Sequence, residues 1–154
     1  MNLTMKGLLT LLMLIAPSAG FAAQCTITDV SVAFGSYDPF SPQPRDSNAT
    51  LQVRCSGANE TVSFQLFAAT GAGSLGDRRA SNGKSALRYN LFLDAGRTQI
   101  WGDGSSGTTV LSDSLTITDV PVTKTYVVYG RILAQQSYTT PGNYGDQLVI
   151  TLNY

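Results

Sequence analysis

Carboxylates and cysteines are the side chains of this sequence that could do chemistry. Its 154 residues include no histidine, which excludes a histidine general base, a Ser-His-Asp triad and histidine metal ligands. Asp94 and Asp103 flank Trp101, and a two-carboxylate glycosidase needs such a pair across a sugar-sized cleft. However, Asp103 stands between two glycines, and Asp94-Ala95-Gly96 lies where a strand should end, so both aspartates have ordinary turn sequence around them. We therefore expect no catalytic residue, and we expect that the protein is not an enzyme.

Metal and cofactor sites are not indicated either. Residues 103–107 have a faint similarity to a calcium loop, but they lack its alternating acidic ligands and its closing glutamate. The chain's single glutamate is Glu60. We expect no metal and no cofactor.

The first 22 residues have the pattern of a secretory signal peptide. A short polar start with Lys6 precedes an apolar run over residues 7–15, and Gly20 and Ala22 supply small residues before the cleavage point. Cleavage after Ala23 would place Phe21 at the minus-three position, so we favour cleavage after Ala22. The apolar run is short for a membrane span. We predict an exported protein with a signal peptide over residues 1–22 and one domain over residues 23–154.

The charge balance argues against two kinds of partner. The chain has ten basic and ten acidic residues, and removal of the leader takes away Lys6. No basic stripe or polybasic patch is visible in the sequence. We therefore expect no nucleic acid partner and no membrane insertion.

Cys25 and Cys55 are the two cysteines of the chain. In an oxidising compartment a disulfide between them is the natural interpretation. Closing a loop of about 30 residues would constrain the unfolded chain by roughly 3–4 kcal/mol. We expect a structural bond between two early strands, without redox chemistry.

The mature sequence alternates apolar and polar residues in short runs that turn residues separate, with almost no helix signal. Such runs predict an antiparallel β-sandwich. The run over residues 125–133 is apolar on both faces and should be central in a sheet. A polar, glycine-rich stretch over residues 71–85 is predicted to separate two strands. The expected strands lie at 26–34, with an irregularity near Asp29, and around 49–55, 62–66, 87–93, 109–117, 125–133 and 148–154.

The last run ends the sequence. Leu148, Ile150, Leu152 and Tyr154 alternate with polar or smaller residues, as expected for a strand with one face in the core. An exposed apolar edge strand invites aggregation unless a neighbour pairs with it, and no further strand follows in the sequence. We expect these four residues to form an edge that a strand from another polypeptide covers.

Several motifs together resemble the spore coat protein U domain family over essentially the whole mature chain. They are F-G-S-Y-D-P at 34–39, L-R-Y-N-L-F-L-D-A with W-G-D-G within 87–104, V-Y-G-R-I at 128–132 and G-N-Y-G-D at 142–146. This family is similar to the subunits of archaic chaperone-usher pili, whose domains are incomplete immunoglobulin-like sandwiches. The resemblance implies a pilin-type sandwich that a donor strand completes.

The resemblance also implies partners and a place of action. The expected partners are a periplasmic pilus chaperone, an outer-membrane usher and a neighbouring subunit that donates a strand. The protein would pass through the periplasm to a surface pilus, or be secreted, and serve adhesion or biofilm formation. Only Ala23 and Gln24 precede Cys25 after the predicted cleavage, and two residues cannot span a neighbour's groove. This departure from the shaft subunits of the family favours a tip or terminating subunit.

An alternative is a free-standing secreted coat protein or a surface- or carbohydrate-binding module. Tyrosine rings suit such binding because they are amphipathic. Tyr138 and Tyr144 flank a polar loop and are the best candidates for a surface-binding patch.

Overall fold

The structure is a computed structural model and describes residues 22–57 and 59–154. All regular secondary structure in this part of the chain is β-strand, which confirms the predicted all-β class. The predicted signal peptide lies, apart from Ala22, outside the described residues. The strands are β1 (Gln24–Ile27), β2 (Arg45–Ser56), β3 (Glu60–Ala68), β4 (Gly73–Ser74), β5 (Asp77–Ser81), β6 (Ala86–Phe92), β7 (Leu111–Ile117), β8 (Val122–Ile132) and β9 (Ile150–Asn153).

Two antiparallel sheets form the sandwich. The larger sheet has six strands in the order β1-β2-β8-β6-β5-β4, and the smaller has three in the order β7-β3-β9. The longest pairing joins β2 to β8, from Arg45 opposite Ile132 to Cys55 opposite Val122. On its other edge β8 pairs with β6. The prediction of a central strand over residues 125–133 is therefore confirmed.

The core lies between the two sheets and consists of alternate residues of the long strands. Trp101 is fully buried, and its indole Nε1 donates a hydrogen bond of 3.0 Å to the Leu66 carbonyl oxygen of β3. Each fully buried large apolar side chain contributes about 1.5–3 kcal/mol of stability. The buried cluster contains Cys25, Leu51, Val53, Cys55, Val62, Phe64, Leu66, Ala68, Leu87, Tyr89, Leu91, Trp101, Leu115, Ile117, Val128 and Ile132.

The first strand is shorter than predicted. β1 ends at Ile27, and after the Thr28 amide has donated to the Gln52 carbonyl (3.1 Å) the chain leaves β2. Val30, Val32 and Phe34 remain half-buried, so their alternation correctly indicates which side chains turn inward. Alternation reports the face of an extended segment and not whether its backbone has a partner. The prediction of one continuous strand over residues 26–34 was therefore wrong beyond Ile27.

The glycine-rich stretch over residues 71–85 is not a plain connection. It holds β4 and β5, and β5 pairs with β6 from Arg78 opposite Tyr89 to Ser81 opposite Ala86. These added strands extend the larger sheet at one edge.

The disulfide prediction is confirmed. Cys25 of β1 and Cys55 of β2 are directly opposite each other in register, and their sulfur atoms are bonded. Both side chains are buried.

The part of the chain that the structure describes contains no helix with the length and apolar character of a membrane span.

Candidate functional site

An open groove runs along one side of the sandwich, between residues 27–37 and residues 139–150. Its volume is about 1640 Å³. The floor is apolar and includes Leu91, Trp101 and Val128 from the core. These core residues are themselves buried, and the apolar surface that the groove leaves half-exposed belongs to residues such as Val32, Phe34 and Leu148 above them.

The first wall is residues 29–36. Phe34 packs edge-on against Tyr89, with 6.1 Å between ring centroids. Gly130 of β8 lies directly beneath, and a Cβ atom there would come within 2.6 Å of the Phe34 ring. The Ser47 hydroxyl donates to the Ala33 carbonyl (2.6 Å), and Arg45 Nε donates to the Phe34 carbonyl (2.8 Å). Side chains thus hold this wall in place of a backbone ladder.

The second wall is residues 139–149. The backbones of Ser81 and Gly145 exchange two hydrogen bonds of 2.8 and 3.1 Å, and the Ala69 amide donates to the Val149 carbonyl (3.0 Å). Asn82 Nδ2 adds a hydrogen bond of 3.1 Å to the Thr140 hydroxyl. These few contacts attach the wall to the β5–β6 hairpin and to the end of β3.

Asp146 is the main polar anchor of the second wall. Its carboxylate accepts hydrogen bonds from the Tyr89 hydroxyl (2.7 Å) and the Ala72 amide (3.1 Å). Gly71, at φ +61°, leaves room for this carboxylate, since a Cβ atom there would collide with it. Burial, followed by the hydrogen bond to Asp146, raises the pKa of Tyr89 well above its ordinary value. Tyr89 therefore stays protonated and acts as a donor.

Both walls leave backbone groups free towards the groove. Within the described chain, no backbone–backbone hydrogen bond involves residues 29–36. β9 is an edge strand and pairs with β3 alone. An unpaired backbone run and the free edge of a strand, both beside an apolar groove, are an arrangement into which an extended segment can add by strand pairing.

The four residues that were predicted to form the open edge lie in different environments. Leu148 and Ile150 line the groove, and Leu152 is half-buried against the core. Tyr154 lies beyond β9 and is 57% exposed. Sequence reasoning named no residue of the opposite wall as a site residue, although the alternation of Val30, Val32 and Phe34 was the available signal.

The two tyrosines proposed for surface binding occupy different environments. Tyr138 is 98% exposed. Tyr144 is half-buried at the groove, where its hydroxyl shares a hydrogen bond with Ser85 and donates to the Thr140 carbonyl (2.6 Å). Tyr144 thus supports the second wall, and Tyr138 is free to meet a ligand.

Arg78 is a buried cation that the sequence did not reveal. It is fully buried on β5, opposite Tyr89. Its guanidinium donates to the Trp101 carbonyl (2.8 Å), the Ala69 carbonyl (2.9 Å) and Asn90 Oδ1 (2.5 Å). Burial lowers the pKa of Arg78, while Tyr89 and Asp146 act in the opposite direction. This side chain ties the groove floor at Trp101 to both sheets.

Asp94 and Asp103 both organise turns. Asp94 accepts hydrogen bonds from the amides of Thr98 (2.9 Å) and Gln99 (2.8 Å), and the bond from Gln99 is the first cause that holds the pKa of Asp94 below its usual value. Asp103 accepts from the Ser105 amide (2.8 Å). In the described part of the chain, no group of three or more Asp, Glu, Cys or His side chains is placed to hold a metal.

Fold and groove together define a class of protein: an antiparallel, immunoglobulin-like β-sandwich with one strand position unfilled. The chain belongs to the Spore Coat Protein U domain family, whose family model matches residues 10–151. The resemblance that the sequence motifs indicate is confirmed.

A solved structure supports the same fold. It is the crystal structure of the CsuC-CsuE chaperone-tip adhesion subunit pre-assembly complex from archaic chaperone-usher Csu pili of Acinetobacter baumannii, and one of its chains matches with a TM-score of 0.54 at 17% identity. The match covers 86% of this chain and 40% of that chain, so this chain spans well under half of the other's length. The likeness supports the all-β fold with antiparallel sheets. No curated protein matches the sequence.

Proposed function

We propose that this chain is a structural subunit of an archaic chaperone-usher pilus, and that its groove accepts a strand from another polypeptide. The observation that carries the proposal is a groove of about 1640 Å³ between residues 29–36, which make no backbone–backbone hydrogen bond in the described chain, and the second wall, which leads into the edge strand β9. One extended segment could pair with both walls while its alternate side chains cover the apolar floor. Family membership and the likeness to a chaperone-bound pilus subunit support this function.

The proposal implies two successive partners. An open apolar edge is an aggregation hazard, so a periplasmic chaperone would supply the strand during export. A neighbouring subunit would replace it at an outer-membrane usher, and the product would be a surface pilus. The strand-accepting edge would consist of Leu148 and Ile150, which line the groove, and of Leu152 and Tyr154 further along the chain. No catalytic role is assigned: the carboxylates of Asp94 and Asp103 both accept hydrogen bonds from amides of their own turns.

The first prediction concerns strand binding. A donor peptide with alternating apolar residues, added at a hundredfold excess over its Kd, should raise the free energy of unfolding by about 2.7 kcal/mol. The exported full-length protein should aggregate or unfold readily when expressed alone, and form a one-to-one complex with a pilus chaperone. A donor fused after Tyr154 through a flexible linker should raise the melting temperature. The single tryptophan, Trp101, lies at the groove floor and can report binding by its fluorescence.

Matched variants on β9 provide the control. Ile150→Asp places a charge at the groove wall and should weaken peptide binding at least about tenfold, or about 1.4 kcal/mol. Thr151→Asp adds the same charge at the adjacent, exposed position and should change the Kd little. A free protein that is monomeric and as stable as the donor fusion would contradict the proposal. The protein would then be a complete sandwich, consistent with a secreted coat or carbohydrate-binding module that uses the exposed Tyr138.

Within the pilus we assign this chain the tip or terminating position, with a role in adhesion or biofilm formation. The likeness to a complex that contains a tip adhesion subunit supports this assignment. The second prediction is that the chaperone-bound protein, mixed with chaperone-bound shaft subunits, accepts one shaft strand and donates none. Native mass spectrometry should then find assemblies with a single copy of this chain. Assemblies with several copies in a row would identify a shaft subunit instead.

A further inference from the structure

The smaller sheet has two open edges. In the order β7-β3-β9, both outer strands pair with β3 alone among the strands of residues 22–57 and 59–154. A strand could in principle add to either edge, since each presents unpaired backbone groups on its outer side. The β9 edge lies beside the apolar groove, but the side of the sandwich along β7 is built differently.

Asp113 interrupts the inward face of β7. Leu115 and Ile117 point into the core and are buried, while Ser112, Ser114 and Thr116 are exposed. Asp113 falls on the inward alternation and is half-buried opposite Phe64 of β3. A charge at an inward position of an edge strand is one of the devices by which sheet proteins prevent edge-to-edge pairing.

The Asp113 carboxylate bridges the two sheets. It accepts hydrogen bonds from Lys124 Nζ (2.5 Å) and the Tyr126 hydroxyl (2.8 Å), both on β8 of the larger sheet. Tyr126 packs edge-on against Phe64, with 6.3 Å between ring centroids. The hydrogen bond from Lys124 is the largest cause that holds the pKa of Asp113 below its ordinary value. An ion pair and a phenol thus occupy the space beside β7 that the inward side chains of an added strand would need.

The β9 side lacks such a barrier. Asp29 and Asp146 are the charged residues that line the groove. The Asp146 carboxylate already accepts hydrogen bonds from Tyr89 and Ala72. Neither aspartate forms a salt bridge within the described residues. An apolar strand could enter the groove without breaking an ion pair, whereas addition at β7 would remove both Asp113 and Lys124 from water.

We propose that Asp113, paired with Lys124 and Tyr126, is a specificity-determining residue that prevents strand addition at β7 and directs it to the β9 groove. The inference rests on the proposed function, because it explains which of two open edges accepts the donor. The proposed role of Asp113 is to select the edge at which a donor strand pairs, and this role is separate from any contribution of Asp113 to the stability of the fold.

The test compares oligomeric state in full-length protein with the donor fused after Tyr154. Asp113→Leu should move the midpoint of self-association at least about tenfold towards lower concentration by sedimentation, and hydrogen exchange should become slower at residues 111–117. Ser114→Leu adds the same side chain on the exposed face and should leave the midpoint near that of the parent. The exchanged pair Asp113→Lys with Lys124→Asp restores an ion pair and should also behave like the parent. Asp113→Asn, of nearly equal size, replaces Asp113→Leu if the leucine variant does not fold.

Two outcomes would overturn the inference. One is an Asp113 variant that folds and self-associates no more than its parent. The other is self-association that slows exchange at β9 rather than β7. If the fused donor does not stabilise the protein, the proposed function fails instead. The same variants are then compared without the donor, where the β7 edge is still open and the same tenfold shift is expected.

Discussion

Replacement of Arg78 by alanine is expected to lower the free energy of unfolding by about 3–5 kcal/mol, because it leaves several buried oxygens without donors. The buried carbonyls of Ala68 and Trp101 and the amide oxygen of Asn90 all accept from this one guanidinium. In the described chain they are too deeply packed for water to take over, since Arg78 itself has no exposed surface. Chemical denaturation followed by Trp101 fluorescence measures the loss.

The neighbouring arginine is the matched control. Arg79 lies next to Arg78 on β5, but its side chain is 53% exposed and pairs with Asp77 at 2.9 Å. An exposed ion pair contributes about 0–1 kcal/mol, so Arg79→Ala should change stability little. Arg78→Lys should be intermediate, because an ammonium cannot reach all the oxygens that the planar guanidinium serves. Equal stability of the two alanine variants would show that the Arg78 network does not stabilise the fold.

The importance of Arg78 could not be predicted from local sequence. Arg78 and Arg79 are adjacent in a polar stretch, and nothing in the pattern of that stretch distinguishes the buried arginine from the exposed one. Its burial depends on carbonyls at residues 68, 69 and 101, which only the folded chain brings together. A pattern analysis of the stretch over 71–85 therefore predicts a loop and misses both the short strands and the network.

The long strands, in contrast, were predictable from alternation. In β3 every second residue from Val62 to Ala68 is buried, β2 repeats this from Leu51 to Cys55, and the double-sided apolar run of β8 correctly indicated a central position. The central position of β8 comes from its pairing with β2 and β6, although Val127 on its outer face is 39% exposed. The sequence pattern does not show, however, whether the backbone of a given segment is hydrogen-bonded to a neighbouring strand.

The groove shows this limit most clearly. Residues 29–36 and 148–154 both alternate like strands. In the part of the chain that the structure describes, the first run has no backbone partner, and the second is paired on one edge over Ile150–Asn153. The alternation of residues 148–154 predicted a strand, and β9 is a strand that pairs with β3 on one edge. The alternation of residues 26–34 predicted a strand as well, because the side chains of an extended segment can face the core whether or not its backbone is paired. The groove lies between these two segments, neither of which is paired on both edges in the described chain.

The disulfide determines how firmly the first wall is held. β1 pairs with β2 over four residues, from Gln24 opposite Ser56 to Ile27 opposite Val53. Beyond Thr28, the contacts from Ser47 and Arg45 are side-chain hydrogen bonds to single carbonyls. A short edge strand with so few bonds would separate readily from its sheet without a covalent link.

The variant in which both Cys25 and Cys55 are replaced by alanine is therefore expected to lose about 3.6 kcal/mol of stability, from the chain entropy of a loop closed across 30 residues. Amide hydrogen exchange should become faster first over residues 24–36, before the whole protein unfolds, because β1 and the first wall would detach together. Donor binding should weaken with it, since one of the two pairing walls would be lost. Denaturation curves, hydrogen exchange and peptide titration measure the three effects. A reducing agent should reproduce them in the parent protein and leave the alanine variant unchanged. If the reduced protein kept both its stability and its affinity for the donor, pairing between β1 and β2 alone would be sufficient to fix the wall.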